Sequence, residues 1–94
     1  MTNLQVQIRG RVQGVGYRAA MLDKAVELGI TGWVRNRRDG SVEALVCGSA
    51  EAVNAIVAWA HAGPPLAEVT LVTATPGDAP LAASFDSFGW RQTA

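Results

Sequence analysis

The stretch GRVQGVGYR, residues 10 to 18, combines three glycines with two arginines. Gly14 and Gly16 flank Val15, and glycines let a backbone curl so that successive N–H groups point into one concavity. The unpaired amides of a helix that follows add partial positive charge. Such a loop suits a phosphate, and Arg18 at the helix start can place its guanidinium against two phosphate oxygens. The alternative interpretation is a plain strand-to-helix turn with an exposed arginine.

A second stretch with chemical potential is GWVRNRRDGSVE, residues 32 to 43, where Asn36 comes at the end of a predicted strand. A carboxamide donates and accepts hydrogen bonds at once, which is what orienting a water molecule requires. An asparagine that only initiates the following turn is the alternative interpretation. Successive strand residues face opposite ways, so Arg35 and Arg37 should point away from Asn36 into solvent, with Arg38 beside them.

Two nucleotide-binding loops are excluded by what surrounds the glycines. Residues 14 to 19 match G-x-G-x-x-A, and Asp39 follows about 20 residues later, as a dinucleotide site requires. That fold also needs a parallel second strand, whereas the pair Asp39-Gly40 predicts a hairpin that reverses the chain at once. A nucleotide P-loop needs Gly-Lys before Ser or Thr, and residues 10 to 18 contain no lysine.

Metal and thiol chemistry have little support in the sequence. The chain holds one histidine, His61, and one cysteine, Cys47, which together fall short of a zinc ligand set. We expect a surface or helix-end histidine, a partly buried cysteine, and neither metal nor cofactor. The tryptophans Trp33, Trp59 and Trp90 are expected to pack in the core or on a sheet face, with Trp33 as the one that can also border a ligand pocket.

The elements that position these residues follow from apolar periodicity. The segments that read in order as strand, helix, strand, strand, helix and strand are residues 4 to 8, 18 to 29, 30 to 37, 41 to 48, 49 to 60 and 66 to 75, with a weaker final strand at 84 to 91. In the first helix Leu22, Ala25 and Val26 are predicted to face the core, and Gly29 to end the helix. Ser49 is the predicted N-cap of the second helix. The order indicates an α+β domain with a βαββαβ arrangement, a four- to five-stranded antiparallel sheet and two helices on one face.

Length and composition set further bounds. A chain of 94 residues is expected to form one domain over residues 1 to 94, since it cannot support two cores. No run approaches the roughly 18 apolar residues of a membrane span, and with no signal-peptide pattern we expect a cytoplasmic protein. The net charge is zero, but residues 1 to 38 carry seven basic and two acidic side chains, and the remainder carries one basic and six acidic. This asymmetry indicates an anionic partner on one face, or solvated charges sorted along the chain.

Residues 10 to 18 and 32 to 43 together resemble the acylphosphatase family. Its members carry G-x-V-Q-G-V-G-[FY]-R after the first strand and G-W-V-x-N-x-x-D-G-S-V-E across the second and third, and both patterns fit throughout. Further similarity lies at residues 63 to 67, and the order of elements agrees over nearly the whole chain. The final strand fits loosely, with Phe88 at the position of the family's usual aromatic residue.

The resemblance implies a ferredoxin-like sandwich and the hydrolysis of an acyl phosphate to a carboxylate and inorganic phosphate. It implies that Arg18 binds the phosphate and that Asn36 positions the attacking water. The backbone amides that would hold the phosphoryl oxygens belong to Gln13, Gly14, Val15, Gly16, Tyr17 and Arg18. The expected partners are the small-molecule substrate and inorganic phosphate, without nucleic acid or membrane, and the expected state is a monomer.

Two other functions stay open at this point. An acylphosphatase-like domain can bind phosphate or carbamoyl phosphate without turnover, or serve as a regulatory module. A ferredoxin-like RNA-binding domain is prompted by the basic half of the chain, but the first and third strands lack the exposed aromatic residues on which bases stack.

Overall fold

The computed structural model describes residues 1–78 and 84–94. Within these residues, two helices and five strands occur in the predicted order. They are β1 (Thr2–Arg11), α1 (Tyr17–Leu28), β2 (Thr31–Asn36), β3 (Val42–Gly48), α2 (Ala50–Ala60), β4 (Glu68–Pro76) and β5 (Phe88–Trp90). The strands form one sheet in the order β4-β1-β3-β2-β5. This is a ferredoxin-like α+β fold, as predicted.

The direction of the last strand corrects one part of the prediction. β1 pairs antiparallel with β3 and β4, and β2 pairs antiparallel with β3, but β5 runs parallel to β2. The sheet is therefore mixed rather than wholly antiparallel. β4 and β5 are consecutive strands, yet they lie at opposite edges of the sheet. The short β5 places Trp90 opposite Val34 in the register.

This topology brings three strand ends together. β1 and β2 both run antiparallel to the central β3, so they run in the same direction as each other, and β5 shares that direction. Their carboxyl-terminal residues, Arg11, Asn36 and Trp90, consequently lie at the same end of the strands, which is the edge of the sheet that carries the glycine-rich loop. The glycine-rich loop leaves β1 at that edge and leads straight into α1.

The main core lies between the helices and one face of the sheet, as the strand alternation predicted. Its buried members are Val6, Ile8, Val12, Tyr17, Met21, Ala25, Ile30, Val34, Val42, Ala44, Val46, Val53, Ile56, Ala60 and Phe88. β3 is the middle strand of the sheet, and its other face is also buried, where Leu45 and Cys47 pack with Trp33. Burial on both faces explains why β3 is almost wholly apolar.

The apolar side of α1 agrees with the prediction at Ala25, which is buried, and at Leu22, which packs against the core, and differs from it at Val26. Tyr17, Met21 and Ala25 are the buried residues of this helix, whereas Val26 is 67% exposed. Residues four apart lie on one helix face, so Tyr17, Met21 and Ala25 form the buried side of α1. The Tyr17 hydroxyl donates a hydrogen bond of 2.8 Å to the carbonyl oxygen of Ala60 at the end of α2. The predicted inward position of Val26 is therefore wrong.

Caps and turns follow the predicted chemistry. The Ser49 hydroxyl accepts a hydrogen bond of 3.1 Å from the Ala52 amide at the start of α2. In the β2–β3 turn, the Asp39 carboxylate accepts hydrogen bonds from the backbone amide and the hydroxyl of Ser41, at 2.9 and 2.6 Å. These hydrogen bonds hold the pKa of Asp39 below its ordinary value. The turn that follows Asn36 is thus held by its own side chains.

Ion pairs neutralise part of the excess positive charge of residues 1 to 38, because their partners are acidic residues from the rest of the chain. Arg35 and Arg37 both contact the Glu43 carboxylate, at 2.6 and 3.2 Å, and Arg9 lies 3.7 Å from Asp39. Arg35 and Arg37 are partly buried beside this acid rather than fully solvated, because β3 places Glu43 opposite Arg35 in the register. In the described part of the chain, neither helix is long and apolar enough to cross a membrane.

Candidate active site

A pocket of about 120 Å³ opens at the edge where β1, β2 and β5 end. It is lined by Val12, Gly14, Gly16, Tyr17, Arg18, Ala19, Asn36 and Trp90. Two sequence segments that are far apart along the chain, the glycine-rich loop and the end of β2, thus form one hollow. The parallel direction of β1 and β2 is the reason, since it places the carboxyl ends of both strands on the same side.

The loop curls because two of its glycines adopt left-handed backbone angles, with φ of 74° at Gly14 and 79° at Gly16. A Cβ atom added at either position would meet nothing within 4 Å, so backbone conformation rather than space requires glycine here. Gly16 is also the N-cap residue of α1, and no side chain among residues 1–78 and 84–94 caps this helix. The first-turn amides therefore lack intrahelical acceptors at the pocket.

Arg18 contributes a fixed positive charge to the pocket. It makes no salt bridge with any residue that the structure describes, whereas Arg9, Arg35 and Arg37 all lie against carboxylates. The Arg18 guanidinium carbon lies 4.6 Å from the centre of the Trp90 ring. Stacking on a ring occupies one face of a guanidinium and leaves its N–H edge free for an anion.

Asn36 is the last residue of β2 and is partly buried. Its backbone oxygen accepts a hydrogen bond of 3.0 Å from the Ala94 amide, so the C-terminal segment braces this position. Within the described residues, no hydrogen bond engages its carboxamide. Strand alternation places Asn36 on the face of Val34, towards the helices, and Arg35 on the other face with Glu43. The predicted separation of Asn36 from its neighbouring arginines is confirmed.

Gln13 connects the two halves of the site without lining the pocket. Its side-chain amide donates hydrogen bonds of 2.7 Å to the Arg37 carbonyl and 2.8 Å to the Ser41 carbonyl. The glycine-rich loop is thereby tied to the turn that follows Asn36. Val15 is also outside the pocket lining, because its side chain packs against the core.

Three lining residues, Val12, Ala19 and Trp90, were not among the predicted site residues. Val12 and Ala19 flank the loop and carry no chemical signal of their own. Trp90 was predicted to pack in the core or on a sheet face; it is not in the core, since it is 52% exposed at the pocket. Trp33, the tryptophan considered for the pocket, lies on the opposite face of the sheet, with the guanidinium carbons of Arg35 and Arg91 4.8 and 4.9 Å from its ring centre. Trp90 reaches the pocket because β5 runs parallel to β2. Apolar periodicity does not show the direction of a strand, so the sequence pattern did not predict this position.

The described residues that line the pocket include no histidine, cysteine, aspartate or glutamate. Burial raises the pKa of Tyr17, whose hydroxyl is already engaged with Ala60. His61 follows the last turn of α2, and Cys47 is buried on the other sheet face. In residues 1–78 and 84–94, no three histidine, cysteine or acidic side chains are grouped as a metal site would need. The available chemistry is electrostatic: amides, a guanidinium and a carboxamide.

Fold and pocket together define a ferredoxin-like α+β protein with a hollow suited to a small anion. Comparison with known proteins identifies the family to which the chain belongs. The family model described as Acylphosphatase matches residues 4–88. An acylphosphatase of an Azoarcus species is 61% identical over 67 residues, covering 71% of this chain and 68% of that protein. One from Cupriavidus metallidurans is 50% identical over 90 residues, covering 96% and 92%.

A solved structure agrees with the sequence relatives. The crystal structure of acylphosphatase from Bacillus subtilis matches with a TM-score of 0.90 and 32% sequence identity, covering 97% of this chain and 99% of that one. The chain therefore belongs to the acylphosphatase family of enzymes, whose substrates are small-molecule acyl phosphates. The resemblance predicted from the two sequence patterns is confirmed.

Proposed function

We propose that this pocket hydrolyses acyl phosphates, with the phosphoryl group held by the loop amides and Arg18 while Asn36 orients the attacking water. The observation that supports this most directly is that Arg18, Asn36 and the first turn of α1 line one hollow. They supply a permanent positive charge, a group that donates and accepts at once, and unpaired N–H groups.

The reaction needs little more than these groups. Phosphoryl transfer passes through a loose transition state whose charge spreads over the equatorial oxygens, so positioning and electrostatics provide most of the catalysis. The water oxygen bonds to phosphorus as the bond between phosphorus and the acyl oxygen breaks, and the carboxylate leaves with the electron pair. A carboxylic acid has a pKa of about 4, so its anion leaves without a general acid.

The proton of the water passes to a phosphoryl oxygen of the substrate itself. Among the described residues that line the pocket, none is a histidine, an aspartate or a glutamate that could act as a general base. We therefore expect the pH dependence of kcat/KM to follow the second ionisation of the acyl phosphate itself, with no additional inflection from an enzyme group near neutrality. An essential enzyme group that titrates near neutrality would contradict this proton route.

The assignment is tested by the hydrolysis of benzoyl phosphate in the presence of a chelator. Arg18→Ala and Asn36→Ala should each lower kcat/KM by at least about 100-fold while the proteins stay folded. Arg11→Ala and Asn54→Ala are matched controls, because both residues are exposed and outside the pocket, and they should retain most of the activity. Wild-type turnover by Arg18→Ala would refute the proposed role of Arg18.

The alternative function is a domain that binds phosphate or carbamoyl phosphate without turnover. It predicts that the intact chain binds inorganic phosphate in a manner that depends on Arg18, yet releases no benzoate from benzoyl phosphate. The same two measurements, phosphate binding and benzoate release, therefore decide between an enzyme and a binding module.

A further inference from the structure

The pocket has one large apolar side chain at its mouth. Val12 and Tyr17 line the interior and are each 1% exposed, whereas Trp90 is 52% exposed. The other lining residues are glycines, Ala19, Arg18 and Asn36. A part of a ligand that extends out of the pocket can therefore contact the exposed ring of Trp90. Among the lining residues, Trp90 offers the extended apolar surface at that position.

The size of the pocket indicates which part of a substrate leaves it. Its volume is about 120 Å³, and pockets that enclose a whole small organic ligand measure about 300–1,000 Å³. On the proposed function, the polar groups hold the phosphoryl group in the interior. The acyl group must then extend outward past the mouth, because the interior cannot also enclose it.

Trp90 is held in place from two sides. β5 pairs with β2 so that Trp90 lies opposite Val34, and the next amide, that of Arg91, donates a hydrogen bond of 2.9 Å to the Val34 carbonyl. The ring also lies under the Arg18 guanidinium at 4.6 Å. A ring fixed in this way loses little freedom on contact with a ligand, which favours binding.

We propose that Trp90 determines specificity for the acyl group, favouring acyl phosphates with an aromatic or extended apolar acyl group over acetyl phosphate. The proposal rests on the proposed function, since it concerns the same site. A flat acyl group gains contact with the exposed part of the indole ring, whereas an acetyl group is too small to reach across it. The contact of Trp90 with Arg18 affects all substrates alike, so the ratio between two substrates isolates the acyl contact.

The test compares kcat/KM for benzoyl phosphate and acetyl phosphate in the wild type, Trp90→Phe and Trp90→Ala. Trp90→Ala should lower the ratio of benzoyl to acetyl phosphate by about three- to tenfold, and Trp90→Phe should keep most of it. Leu71→Ala is the matched control, because Leu71 is an apolar residue of similar exposure, 53%, on β4 and outside the pocket. It should leave the ratio unchanged.

An unchanged ratio in an active Trp90→Ala protein would overturn the proposal and leave the proposed function intact. Failure of the proposed function would look different, since the wild type would then hydrolyse neither substrate. If Trp90→Ala does not fold, the proposal can be tested on the wild type by measuring NMR chemical shifts of the Trp90 ring with two non-hydrolysable probes. Phenylphosphonate should shift the Trp90 ring protons more than methylphosphonate does, and equal shifts would overturn the proposal.

Discussion

Alanine at Gly16 gives the sharpest test of the loop conformation. Gly16 has a φ of 79°, a value at which an L-residue costs roughly 1–2 kcal/mol. An added Cβ would meet no atom within 4 Å, so Gly16→Ala changes the backbone preference without creating a clash. Alanine also reduces the freedom of the unfolded chain, which stabilises by about 0.4–1 kcal/mol. A control glycine must therefore remove this second effect.

Gly89 is that control. A Cβ at Gly89 also meets nothing within 4 Å, and its φ lies outside the left-handed region. The unfolded-state effect is common to Gly16→Ala and Gly89→Ala, so it cancels in their difference, in which the left-handed cost at Gly16 is the main contribution. In urea unfolding, Gly16→Ala should be less stable than Gly89→Ala by about 1–2 kcal/mol. Each kcal/mol corresponds to about 4–8 °C in Tm for a domain of this size.

The same substitution links stability to ligand binding. If the Gly16→Ala protein keeps the curl, it loses stability and inorganic phosphate still inhibits. If the loop relaxes instead, part of the stability returns, and the inhibition constant for phosphate should rise by about 5- to 30-fold, the equivalent of 1–2 kcal/mol. The refuting result is a Gly16→Ala protein that matches Gly89→Ala in both stability and inhibition by phosphate. The curl would then contribute nothing to the site.

Three further outcomes are expected. Gln13→Leu removes hydrogen bonds of 2.7 and 2.8 Å and should lower the free energy of unfolding by about 1–3 kcal/mol. Gln7→Leu, which removes a single contact of 3.5 Å, should cost under about 1 kcal/mol in the same urea titration, and equal losses would argue against the bridge. Tyr17→Phe removes a buried hydrogen bond to Ala60 and should cost about 1–2 kcal/mol, measured by thermal unfolding. Burial raises the pKa of Tyr17, so the wild type should hold its full Tyr17 contribution below about pH 10 and lose stability as the pH rises further, by at most about 1.4 kcal/mol per pH unit. Tyr17→Phe should lose less over that range, and an identical alkaline limb would contradict the burial argument.

The architecture was largely readable from local patterns. Alternation in β1, the Asp39-Gly40 turn and the Ser49 cap are effects between residues close in sequence, and each is confirmed. The orientation of α1 was readable only in part: Ala25 lies inward as predicted, but Val26 is exposed, and local spacing did not show that Tyr17 is buried. The hydrogen bond from Tyr17 to Ala60, 43 residues away, accompanies the burial of Tyr17.

In the candidate site too, some residues were predicted from the sequence and others were set by tertiary contacts. Gly14, Gly16, Arg18 and Asn36 were predicted from residue types and patterns, and the structure brings all four to one pocket. The partnership of Arg18 with Trp90 was not predicted, since it depends on β5 running parallel to β2 at the far edge of the sheet.

By itself the sequence determined which segments bend, which alternate and which side chains can bind an anion or a water, because those properties depend on single residues and near neighbours. Only the tertiary structure decided that Gln13 ties the loop to the β2–β3 turn, that Glu43 neutralises two arginines and that Trp90 stands at the mouth of the pocket. Strand order and direction set those contacts, and both result from packing the whole core rather than from any local preference.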